Sequence, residues 1–411
     1  VRHDPDVSRP FFLLIVIAAA ACGPTAKPKP TLPVAAPTQT PGDDLARAQA
    51  GASSDGGATT DDPRLGTGTK PGPTNLDTIR ISVVGHDAKG DPKLVAVAAT
   101  QLFDQASAAH KAGKLDDAIA SWRRLVTEFP DSNYAAMSLW NTAAVHEQRN
   151  DVDATVATLA ELVRLYPTRR EAIDAQLYIA ALEAQRKRWA PARVALDAVL
   201  ARTDLTYADR IEGHARRGYV ILEQGELDVA EAALGDAIAS WRRAPRIDDP
   251  YFIAMAFYYR GEIARRRMHA VPLRAGVTAA DLRADLEKRE HLAAAAYDRW
   301  KEALDFKHAY WATASGYQMS HVFVEFWRST VEAPFPTDLD ERARPDYVAE
   351  VHARVRPHLE KALDGHRMNV ELGKAFGVET LWATASEQKV IEVMALLAQE
   401  SRGVYVTPPT R

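Results

Sequence analysis

From about Asp91 onward, apolar residues recur every three or four positions on a background of Ala, Leu, Arg and Glu, which predicts a succession of amphipathic helices. A ten-residue pattern returns four times within this region, as GKLDDAIASW (113–122), NDVDATVATL (150–159), KRWAPARVAL (187–196) and GELDVAEAAL (225–234). The central small residues of these copies, Ala118, Thr155, Ala192 and Ala230, are 37, 37 and 38 residues apart, so the region is a repeat array. Twelve residues upstream of each lies a second small residue: Ala106, Ala143, Ala180 and Gly218. Small side chains at these two offsets let two antiparallel helices approach across a short turn, with Gly or polar residues between them ending the first helix. Pro130 and Pro167 then close the second helix in the first two units. Each unit predicts a helical hairpin, and the chain an all-α solenoid whose neighbouring hairpins bury one another's apolar faces.

Two further units are degenerate. Gly261 in YYRGEIA pairs with Ala296 in AAAAYDRWKEAL as a fifth unit with an insertion around 268–282, and Gly316 in ASGYQMS opens a sixth. Beyond about residue 330 the helical character continues without a clear period. Pro345 and Pro357 fit helix first turns and Gly377 fits a helix stop, so 331–411 is expected to be a helical cap. The heptapeptide AIASWRR occurs at both Ala118–Arg124 and Ala237–Arg243, but the copies stand seven residues out of register with the 37-residue unit. Seven residues is close to two helical turns, so both copies point the same way and Trp122 and Trp241 are expected in the core.

The first 90 residues differ in kind. FFLLIVIAAAAC, residues 11–22, is an apolar run too short to span a bilayer, and it ends at the chain's single cysteine. One thiol excludes an intrachain disulfide and a cysteine-based metal site. Residues 23–74 hold nine of the 24 prolines and no aromatic, a composition that cannot bury enough apolar surface to offset chain entropy. The expected organisation is a signal peptide (1–21), a disordered tether (22–90), helical repeats (91–330) and the cap. TIRISVVG, residues 78–85, alternates weakly and is compatible with one β-strand.

Two resemblances follow from these residues. The run Ala19-Ala20-Ala21-Cys22-Gly23 resembles a bacterial lipobox, with Ala19 where that pattern usually has Leu. It implies cleavage before Cys22, acylation of its thiol and, with Gly23 next, an outer-membrane address facing the periplasm. The helix pairs with small residues at two fixed points, a turn Gly and a terminal Pro resemble the tetratricopeptide repeat over roughly 97–330, in units longer than that family's 34 residues. Together the resemblances imply a non-catalytic, lipid-anchored envelope scaffold, as in outer-membrane assembly, cell-wall and division coordination or gliding motility. Its partners would be envelope proteins or peptides. A cell-wall-acting enzyme on a helical scaffold, and a soluble cytoplasmic scaffold with a mis-set start at Val1, are the competing readings.

Chemistry in the sequence favours no catalysis. There is no Gly-rich phosphate loop and no GxSxG elbow, and His146-Glu147 is followed at the fourth place by Asn150 rather than the His of a zinc protease. No cofactor, metal or small-molecule substrate is expected. With 51 basic against 55 acidic residues, the net charge of −4 argues against nucleic acid, and the Arg clusters at 186–188, 216–217, 242–243 and 265–267 read as helix-end charges paired with acids. The remaining candidate surface is the inner groove lined by each first helix. Phe103, Trp140 and Tyr258 hold one equivalent place in three units, with Tyr219, Tyr310 and Tyr317 nearby. They are either partner-binding aromatics or inter-helix packing, since each first helix's apolar stripe passes through the same place.

Overall fold

The computed structural model describes residues 79–86 and 89–405, so Cys22, the apolar run before it and the proline-rich segment lie outside the described residues. The described chain opens with a β-hairpin in which β1 (Ile79–His86) pairs antiparallel with β2 (Pro92–Ala98), placing Ile79 opposite Ala98 and Val83 opposite Leu94. Thirteen α-helices follow. Five hairpins are formed by α1 (Ala99–Lys111) with α2 (Leu115–Glu128), α3 (Asn133–Gln148) with α4 (Val152–Leu165), α5 (Arg170–Gln185) with α6 (Trp189–Leu200), α7 (Tyr207–Glu223) with α8 (Leu227–Arg243), and α9 (Tyr251–Ala270) with α10 (Ala279–Leu304). Three further helices end the array: α11 (Ala309–Val331), α12 (Arg344–Phe376) and α13 (Leu381–Ser401).

The hairpin occupies residues that the sequence divides between tether and repeats, so helix begins at Ala99 rather than near Asp91. A short apolar run such as Leu94-Val95-Ala96-Val97 suits a strand and a buried helical turn equally, which is why periodicity alone misassigns it. Arg80 lies 6.0 Å from the Phe129 ring centroid and Val97 packs in the same cluster, tying the hairpin to the first helical unit.

The repeat is written into the backbone. Gly113, Asn150, Lys187 and Gly225 all have positive φ, of 73°, 57°, 57° and 86°, and stand 37, 37 and 38 residues apart. Each ends a first helix. The residue after each donates its N–H back five places: Lys114 to Ala109 (2.9 Å), Asp151 to His146 (2.9 Å), Arg188 to Glu183 (2.8 Å) and Glu226 to Ile221 (3.3 Å). Bonds of this kind satisfy carbonyls that the helix end leaves open. The paired small residues meet as expected: Ala106, Ala118, Ala143, Thr155, Ala180, Ala192 and Ala230 are buried. A Cβ on Gly218 would lie 2.5 Å from the Leu234 side chain, so that crossing requires glycine.

In the fifth unit the insertion is a loop closed by buried Arg289, which donates twice to the Val271 carbonyl (2.9 and 2.7 Å). Pro345 lies in the first turn of α12 as its sequence suggests, but Pro357 does not start a helix; it lies inside the 33-residue α12. Pro357 and Ala353, whose carbonyl loses its partner there, both face solvent, where water can replace the missing bond. Gly377, at φ 67°, ends α12. The last three helices are held by a buried polar knot: Asn369 Nδ2 donates to Thr313 O (3.0 Å) and Ser386 Oγ (2.8 Å), and Thr380 Oγ1 bonds Thr313 Oγ1 (2.8 Å). Trp122 is buried, whereas Trp241 is half-buried against Phe257 and Phe306.

Candidate functional site

The first helices α1, α3, α5, α7, α9 and α11 lie side by side, each packed on the next, while the second helices α2, α4, α6 and α8 do not pack on one another comparably. The array therefore curves with its first helices inside, and that row is the candidate binding surface. It divides into two parts of different character.

In the N-terminal part the row is open. Phe103 on α1 and Trp140 on α3 are half-buried, and Met137 is 42% exposed. Phe103 lies 5.0 Å from the Tyr134 ring and Trp140 lies 6.1 Å from Tyr178. The Tyr178 hydroxyl donates to the Glu147 carboxylate, and burial together with that bond pushes its pKa far above the ordinary phenol value. Between α5 and α7, Arg170 grips Asp209 through two bonds (2.6 and 2.7 Å) and reaches Asp174 (2.8 Å). Burial pushes the Asp209 carboxyl up, but its bonds from Arg170 and Thr206 outweigh this and leave it below the usual range. Asp209 also completes a capping box with Thr206, so the ion pair fixes the start of α7.

In the C-terminal part the protein fills its own row. Tyr219 and Tyr258 are buried, at 8% and 4% exposure, and so cannot form an accessible groove surface. Tyr219 packs against Tyr259 (4.7 Å) and Trp189 (5.9 Å). Tyr258 packs against Trp311 (5.1 Å) and accepts a bond from Gln318 Nε2 (3.2 Å). Trp382, on α13, comes to 6.4 Å from Tyr258 and 5.3 Å from Tyr317. Tyr310 and Tyr317 are half-buried in the same cluster. These positions lie where the sequence places them on the helices; Trp382 of the terminal helix covers Tyr258 and Tyr317, while Tyr219 is covered by Tyr259 and Trp189. Nothing marks Trp382 in the sequence as their partner, because it lies beyond the last legible repeat.

Beside this cluster is a polar one. Arg265 on α9 bonds Glu325 on α11 through Nε (2.9 and 3.1 Å) and Glu262 through Nη1 (3.2 Å), while His269 and His321 stand 3.3 and 3.7 Å from Glu325. Burial pushes the Glu325 carboxyl up, but hydrogen bonds from His269 and Arg265, with the nearby Arg265 charge, bring it down to about 2. Burial lowers His321 to about 4; for His366, burial together with the charges of His321 and Lys389 lowers it to about 3. The rest of the 265–267 cluster joins helices in the same way: Arg266 bonds Glu223, and Arg267 bonds Asp228 (2.6 Å) and Glu231 (2.5 Å). Among the described residues no group of three or more His, Cys, Asp or Glu could hold a metal ion, and no helix is long and apolar enough to cross a membrane.

Residues 93–246 match the model of a family described as a tetratricopeptide repeat-like domain, a span that takes in the first four hairpins. This segment has a tetratricopeptide repeat-like fold. The C-terminal part of a tetratricopeptide repeat-containing protein from Cytophaga hutchinsonii is similar at 11% identity and TM-score 0.38, over 74% of this chain and 100% of that one. A tetratricopeptide repeat protein from Parabacteroides merdae is similar at 9% identity and TM-score 0.34, over 72% and 98%. MamA is similar at 15% identity and TM-score 0.34, over 51% and 96%. No curated protein matches the sequence. A repeat array of this kind suggests a scaffold for protein–protein interaction.

Proposed function

We propose that this chain is a lipid-anchored scaffold of a bacterial envelope, held by acylated Cys22 on the periplasmic face of the outer membrane, which binds an extended or helical segment of another envelope protein. One observation carries the binding part: Phe103, Met137 and Trp140 leave apolar surface open on the inner row, while Tyr219 and Tyr258 farther along are already buried. Aromatic side chains in a concave helical row offer rigid anchors for a peptide's apolar residues. The anchoring part is supported by the sequence alone, through the apolar run ending at the sole cysteine and the proline-rich stretch after it.

The test has two arms. Inhibiting lipoprotein signal peptidase in intact cells is expected to leave a larger, unprocessed species; an unchanged size and fractionation would refute the anchor and favour a soluble scaffold with a different start. Crosslinked pull-down from membranes is expected to recover a partner that Trp140→Ala loses while its helical circular dichroism is unchanged. A partner retained by Trp140→Ala and by Phe103→Ala would place binding elsewhere.

A further inference from the structure

The terminal helix α13 presents an apolar stripe to solvent. Ile391, Met394, Ala395 and Ala398 fall at i, i+3, i+4 and i+7, one face of a helix, and all four are exposed, Ile391 at 72% and Met394 at 49%. The opposite face carries buried Ser386, Val393 and Glu400, which join α13 to the rest of the array. A solenoid's last element ordinarily turns a polar face outward, because no further repeat covers it. Here that face is apolar over the second half of the helix.

We propose that a second copy of this chain covers it, through antiparallel packing of α13 on α13 about a two-fold axis. Charge and size select the same register. Glu387 and Arg402 are exposed near opposite ends of the stripe. Antiparallel pairing that sets Glu387 against Arg402 of the second copy centres the axis between Met394 and Ala395. The same register sets Ile391 against Ala398 of the second copy and Met394 against its Ala395, so a large side chain meets a small one at each level. Parallel packing would instead place like against like: Glu387 beside Glu387, Ile391 beside Ile391. A two-fold contact uses one surface on both copies, so this single stripe suffices.

The test uses the full chain carrying Cys22→Ser, so that an introduced thiol is the only one. Ala395→Cys, beside the axis, is expected to give a covalent dimer on mild oxidation, whereas Val194→Cys on α6, also exposed at 68%, is expected to give none. Sedimentation velocity at tens of micromolar is expected to show a dimer, weakened at least tenfold by Ile391→Asp and by Ala398→Glu with helical content unchanged. Two substitutions are used so that misfolding of one does not decide the matter. A monomer throughout that range, or a dimer indifferent to both substitutions, overturns the proposal. So does a stripe that binds a different protein while the chain itself stays monomeric.

Discussion

Lys187 is the residue at which the repeat asks most of the sequence. It stands third in a series of left-handed turn positions whose first and fourth members are Gly113 and Gly225, and its φ is 57°. A left-handed conformation costs an ordinary L-residue roughly 1–2 kcal/mol, while glycine adopts it freely but loses about 0.5–1 kcal/mol more backbone entropy on folding. The Lys187 side chain is exposed, so its removal costs little packing. The turn's bonds, Lys187 N to Ala184 O (2.9 Å) and Arg188 N to Glu183 O (2.8 Å), are main-chain and survive substitution. Lys187→Gly is therefore expected to stabilise the array by about 0.5–1 kcal/mol, and Asn150→Gly by less, because Asn tolerates this region better. Gly225→Ala should destabilise by about 1 kcal/mol, since it places a Cβ where φ is 86°. Urea unfolding followed by circular dichroism, with hydrogen exchange of the α5 amides as a local readout, measures all three. If Lys187→Gly instead lowers stability by about 1 kcal/mol, as glycine does inside a helix, the residue is not a turn and the hairpin boundaries are wrong.

Other consequences are open to simpler tests. Burial lowers His321 to about 4 and, with the His321 and Lys389 charges, lowers His366 to about 3. Below pH 6.5 the unfolded chain then binds more protons than the folded one, so stability present above pH 6.5 is lost as pH falls toward 4. The loss is on the order of 3 kcal/mol per histidine, seen as a falling Tm that the pair His321→Gln and His366→Gln flattens. Glu325, held at about 2, adds a separate loss that begins only below about pH 4.5, which Glu325→Gln should abolish. A Cβ on Gly316 would lie 2.2 Å from Asn369 Oδ1, so Gly316→Ala should displace Asn369 from Thr313 and Ser386. A cost of about 1–3 kcal/mol, read as earlier unfolding of α11 to α13 in hydrogen exchange, is the expected result.

The repeat was legible because its signal is steric and periodic. Small residues 12 apart mark where helices cross, and their 37-residue recurrence coincides with the positive-φ turns and the buried small residues. Pro357 misleads because a proline's penalty depends on whether its orphaned carbonyl meets water, which sequence does not state. The second β-strand is not legible for want of length, five apolar residues being too few to distinguish periods of two and 3.6. The candidate surface was half legible. Equivalence between units places Phe103, Trp140 and Tyr258 on one row, but only the fold shows that Trp382 returns to cover Tyr258, because that contact joins residues 124 positions apart with no period between them.

Binding along the open half of the inner row is the claim on which the functional account stands. Photo-crosslinking from a probe installed at exposed Met137, one turn before Trp140 on α3, tests it most directly in cells that express the full chain. The account predicts a discrete adduct with another envelope protein, absent when the probe replaces Val194 on the outer side of α6 and lost with Trp140→Ala. Adducts of equal yield from Met137 and Val194, or none from Met137 beside a partner captured elsewhere on the chain, would contradict it.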